Sequence, residues 1–210
     1  MRNAINTMLL VSLGFIMASC QGAGNTENGG ETDSLESTPT VVKEITKEEM
    51  ISAWRQQVGY DVLDDMDMPE TYLFYDVDKD GQDEVLMSGF GFNAAFINQD
   101  GKLLLVAQSF GEFEDLAVSD EGDVVRSQVS GMSVEVVTWE YYRLKDSKLS
   151  YVFVYSTNFE DPDNEESTLL KSYSLASGDT RKELTEEEAE AYYPKTLEKS
   201  ITGLEGWQEF

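Results

Sequence analysis

The chain has 210 residues, with 41 acidic against 15 basic side chains, a formal net charge of -26, no histidine and one cysteine. A surface of that sign repels phosphate backbones and anionic membranes, which excludes nucleic-acid binding. The absence of histidine removes the Ser-His and Cys-His nucleophile pairs, the common zinc ligand sets and the usual neutral-pH base; no phosphate-cradling Gly-Lys loop or dinucleotide fingerprint is present either.

The chain begins with a targeting pattern. Arg2 supplies a short positive region, and Met8 to Met17 is an apolar run too short to span a bilayer, which is how an export signal reads. Met17-Ala18-Ser19-Cys20 resembles a bacterial lipobox, in which the cysteine is lipidated and becomes the first mature residue. By that resemblance residues 1–19 are a lipoprotein signal peptide and Cys20 is the lipid anchor; several acyl chains, at about 0.8 kcal/mol per buried methylene, would hold the protein on a membrane. As the sole cysteine, Cys20 cannot form an internal disulfide. Residues 20–42 are rich in Gly, Asn, Ser, Thr and Glu and read as a flexible tether. The remainder, 43–210, has about 170 residues, the size of one domain with a real core.

Thr46 and Glu49 make a capping box, and Met50, Ile51, Trp54 and Val58 follow at helical spacing until Gly59. This predicts an N-terminal helix that buries Trp54. An acidic connection, Asp61 to Pro69, leads to the stretch that carries most of the chemistry.

That stretch is Asp76-x-Asp78-x-Asp80-Gly81-x-Asp83-Glu84, set between the aromatic and branched run Thr71 to Val77 and the apolar Val85-Leu86-Met87. Calcium takes six to eight oxygens at flexible geometry, and D-x-D-x-D-G offers side-chain oxygens at three alternating positions before a glycine at the sharp turn. Position 12 is Met87 where an EF-hand carries glutamate, and the flanks are strand-like with no helix cap, so the loop belongs at the tip of a β-hairpin. The residues resemble the calcium loop of FG-GAP repeats, the strand-loop-strand element of integrin-type propellers and of many secreted bacterial proteins. That resemblance implies calcium held by the side chains of Asp76, Asp78, Asp80 and Glu84 and by the carbonyl of Gln82.

Gly89-Phe90-Gly91-Phe92 reads as a bend between strands. Three further pairs of strand-sized runs follow: 94–97 with 102–106, 115–118 with 124–127, and 134–143 with 148–155, separated by turns that include Asp100-Gly101 and Glu121-Gly122. Such spacing predicts an antiparallel meander of hairpins, forming a curved sheet, a sandwich or a propeller-like ring. The acidic run 159–167 suits a second, weaker cation site at Asp161, Asp163 and Glu165. Residues 168–175 read as a strand, Thr185 to Glu188 as a capping box opening a short C-terminal helix through Tyr192, and Ile201, Leu204, Trp207 and Phe210 as a packed tail.

The expected protein is therefore a mainly β, lipid-anchored lipoprotein of the bacterial cell envelope, periplasmic or at the surface. It carries a structural calcium site and acts without catalysis, as a binding module for an extracellular protein or glycan. The alternative is a carboxylate-dependent glycan hydrolase, using acids among Glu112, Glu114, Glu135 and Glu140 near Phe110, Phe113, Trp139, Tyr141 and Tyr142.

Overall fold

Thr46 begins the first helix, α1 (Lys47–Gln57), through the bonds its sequence implies. Glu49 N donates to Thr46 Oγ1 at 3.2 Å and Thr46 N donates to Glu49 Oε2 at 2.9 Å, which satisfies two otherwise orphaned N–H groups. Met50, Ala53 and Trp54 form the buried stripe of α1. The computed structural model describes residues 44–58, 68–129, 136–161, 167–196 and 198–210, all of them within the unit Val41–Phe210. The signal peptide, Cys20, the tether, the acids of 61–67, Glu135, Asp163 and Glu165 lie outside the described residues. Among the described residues, no helix is long and apolar enough to cross a membrane.

The architecture is mainly β, as the meander pattern predicts. The first sheet contains β1 (Thr71–Tyr75), β2 (Glu84–Gly89), β3 (Phe92–Gln99), β4 (Lys102–Phe110) and, at its edge, the two-residue C-terminal strand β12 (Gln208–Glu209), in the order β12-β1-β2-β3-β4. The second contains β5 (Glu114–Val118), β6 (Asp123–Val129), β7 (Val137–Leu144), β8 (Leu149–Phe159), β9 (Leu169–Ser177), β10 (Thr180–Glu183) and β11 (Lys199–Ser200), in the order β10-β9-β8-β7-β6-β5-β11. Every pairing is antiparallel.

Alternation of side chains assigns the layers. In β2 and β3, Val85, Met87, Phe92, Ala94 and Phe96 pack with Met50 and Trp54 of α1 on one face. Leu86, Ala95 and Ile97, one residue out of phase, pack with Leu116, Val118, Val124 and Leu144 of the second sheet on the other face. Val85, Leu86 and Met87 are accordingly all 0% exposed, and full burial of a side chain of this size contributes about 1.5–3 kcal/mol. The outer face of the second sheet carries Val125, Tyr141, Phe153 and Tyr173, packed against Ala189, Tyr192 and Tyr193. The order of layers is thus helix, sheet, sheet, and an aromatic cover.

That cover shortens the expected C-terminal helix. Thr185 and Glu188 form the capping box, yet α2 covers only Glu186–Ala189. The chain then turns so that Tyr192 and Tyr193 lie against Phe153, with ring centroids 5.7 and 5.3 Å away, contacts that a continued helix would place on different faces. In the Gly89–Phe92 bend, Phe90 (φ 41) and Gly91 (φ 83) take the left-handed backbone, and Gly89 admits the neighbouring chain, since a Cβ there would sit 2.5 Å from the carbonyl oxygen of Met68.

Candidate metal centre

The loop between β1 and β2 closes the hairpin, whose last register pair is Tyr75 with Glu84. Apolar side chains at Leu73, Val77, Val85 and Leu86 draw both strand ends into the core, and Glu84, as the first residue of β2, is carried in with them. Its side chain is 0% exposed. The loop backbone folds around its own acids. Asp76 Oδ1 accepts from Asp80 N at 3.1 Å and Asp76 Oδ2 from Gly81 N at 3.0 Å, while Asp80 Oδ1 accepts from Gln82 N at 2.7 Å. Lys79 (φ 60) and Gly81 (φ 89) supply the left-handed backbone of this tight winding.

The winding brings Asp76, Asp78 and Glu84 together: one carboxylate oxygen from each lies within 4.8 Å of the other two. Asp80, the third aspartate of the ladder, stands outside this trio, its Oδ2 accepting from Ser147 Oγ at 3.0 Å. Gln82 is exposed. At an effective dielectric of roughly 20, each pair of charges in the trio repels by about 3 kcal/mol, so three ionised groups would consume much of a typical domain stability of about 5–15 kcal/mol.

Glu84 sharpens the point. Its Oε2 accepts from Val77 N at 2.9 Å, but its Oε1 has no hydrogen-bond partner. Burial pushes the Glu84 carboxyl up to about 7, with Asp78, Asp80 and Asp76 raising it further and the Val77 N–H acting the other way. A neutral carboxylic acid would need an acceptor for its O–H, and none reaches Oε1. An unsatisfied buried oxygen costs about 1–3 kcal/mol. A divalent cation among the three carboxylates would satisfy Oε1 and cancel the repulsion together, and an all-oxygen, carboxylate-rich donor set suits calcium over softer metals. The residues present therefore fit the ion.

Turns of the second sheet press on the loop, which the sequence did not reveal. Ser147 N donates to Asp78 Oδ2 at 3.0 Å, and Lys79 Nζ donates to the carbonyl oxygen of Asp120 at 2.8 Å. A Cβ on Gly122 would stand 3.2 Å from Asp78 Cα, so glycine is what lets the two loops approach. Beside them a cleft of about 430 Å³, lined by Asp78, Asp80, Arg143 and Tyr151 among others, leaves the outer side of the loop accessible.

The acids of the hydrolase alternative are arranged differently. Glu114 Oε1 and Glu140 Oε2 lie 2.8 and 3.0 Å from the two terminal nitrogens of Arg126, and Glu140 also accepts from the Tyr142 hydroxyl. This pair shares a cation that the protein supplies. Glu112 is exposed on the β4–β5 connection, and Trp139 and Tyr141 belong to the aromatic layer on the far face of the second sheet. Of the three acids suited to a second cation site only Asp161 is described, and its backbone exchanges hydrogen bonds with Ser167 Oγ. No protein-family model, curated protein or solved structure matches the chain.

Proposed function

We propose that this protein is a lipid-anchored envelope protein whose β domain is held in its working shape by calcium, with Asp76, Asp78 and Glu84 as the central ligands and Asp80 and the Gln82 carbonyl completing the loop's donor set. The observation that carries the reading is Glu84, a fully buried carboxylate with an oxygen left unpartnered among like charges. The FG-GAP-like spacing of the loop and the lipobox-like Met17 to Cys20 support it from the sequence. Calcium here neutralises and crosslinks; it supplies no reaction. The domain's task is then binding at the cell envelope, with an extracellular protein or glycan as partner.

The test is thermal unfolding of the full chain with calcium and with chelator. Calcium at a hundredfold excess over Kd should add about 2.7 kcal/mol, a rise of roughly 5–11 °C for a domain of this size. Kd should fall within ~10⁻⁶ to 10⁻³ M, the sensor-to-extracellular range. Asp78→Asn should abolish the difference between the two conditions. Superimposable melting curves for the unaltered chain would sink the reading.

A further inference from the structure

We infer that Ser147, on the β7–β8 turn of the second sheet, is a positioning residue for the metal loop of the first, an inference that rests on the calcium reading above. Both of its donors face the loop. Ser147 N donates to Asp78 Oδ2 and Ser147 Oγ to Asp80 Oδ2, each at 3.0 Å, and the residue is only 5% exposed. These two bonds reach across 69 and 67 positions of sequence.

The turn itself shows that something other than turn formation selects the serine. Lys145 N donates to the Lys148 carbonyl and Lys148 N to the Lys145 carbonyl, closing a two-residue turn at Asp146 and Ser147 with φ of 52° and 49°. Positive φ at both central positions marks the mirror-image type I turn, whose second position favours glycine. Serine there is strained, and its hydroxyl lands on a carboxylate of the metal loop. The loop is held against the β5–β6 turn as well, by Lys79 Nζ on the Asp120 carbonyl and by the glycine at 122.

The consequence for binding is orientational. In both the Asp78 and the Asp80 carboxylate the other oxygen accepts from within the loop, Asp78 Oδ1 from Asp80 N at 3.2 Å and Asp80 Oδ1 from Gln82 N at 2.7 Å. The Ser147 donors therefore fix each carboxylate from its second end, and less freedom is lost on taking up the ion. Hydrogen-bond partners of this kind typically alter metal affinity by about 10–100-fold. The second sheet therefore contributes to affinity although none of its residues belongs to the Asp76, Asp78 and Glu84 trio. Independent support that the loop is a ligand site comes from the unpartnered, fully buried Glu84 Oε1.

Calorimetric calcium titration and chelator-treated melting of the full chain separate positioning from turn stability. Ser147→Gly relieves the positive φ and removes the hydroxyl; it should melt at or above the unaltered chain in chelator yet bind calcium about tenfold more weakly. Ser147→Ala keeps the strain and removes the hydroxyl alone, and should weaken calcium binding to a similar degree. Unchanged calcium affinity in both variants would make Ser147 a turn residue and overturn the inference while leaving the calcium site standing. No calcium uptake by the unaltered chain would remove the calcium reading and this inference with it.

Discussion

Among the described residues, two carboxylates are sealed inside this domain at equivalent places, and their surroundings are opposite. Glu84 opens β2 after the Asp80-Gly81 loop, and Asp123 opens β6 after the Glu121-Gly122 turn; they are 0% and 1% exposed. Asp123 is fully provided for: Arg143 Nε and Nη2 donate to its two oxygens at 2.6 and 2.9 Å, and Ser119 Oγ donates to Oδ2 at 2.8 Å. Glu84 receives one backbone N–H and faces acids. A carboxylate that brings its own guanidinium is part of the scaffold, whereas one buried among like charges is a place where a proton or a metal cation from solution relieves the repulsion. The same turn chemistry thus yields a structural pair in one sheet and a candidate ion site in the other.

The contrast can be broken at either end. Arg143→Met leaves Asp123 buried without its partner and should cost about 3–5 kcal/mol, equally with calcium and with chelator, by denaturant unfolding. Glu84→Gln should do the reverse: in chelator it melts at or above the unaltered chain because a repelling buried charge is gone, and it loses the roughly 2.7 kcal/mol that saturating calcium adds. A Glu84→Gln protein that still gains stability from calcium would place the ion elsewhere. Gly122→Ala should have the smallest effect, roughly 1 kcal/mol, from a side chain at φ 91 pressed toward Asp78. Its sharper signature is a reduced calcium response, since the strain falls on the Asp76–Glu84 loop.

Local chemistry was the readable part of this sequence. The capping box at Thr46 and Glu49 gave α1, Asp100-Gly101 gave a tight hairpin with φ of 53° and 79°, and the alternating aspartates gave a wound loop at a hairpin tip. Long-range geometry was not readable. Nothing near Asp78 announces Ser147, and nothing in Glu114 or Glu140 announces that Arg126 lies between them. β10 escaped because Thr180–Glu183 is exposed throughout and shows no alternation, so that its pairing with β9 is its whole claim to be a strand. The order of the layers was equally hidden, because β2 and β3 are apolar on both faces and a period of two cannot say which face meets the helix.

The C-terminal strand has a consequence of its own. β12 covers the edge of β1 with two register pairs, Thr71 with Glu209 and Tyr72 with Gln208, helped by the Phe210 ring on Tyr72 and by Lys47 Nζ on the Glu209 carbonyl. So short a guard opens at small cost, and amide hydrogen exchange should report it as an early-opening segment of the first sheet. Once it lifts, a row of backbone donors and acceptors is free to pair with the same segment of another molecule, which makes this margin the natural seam for strand exchange between copies.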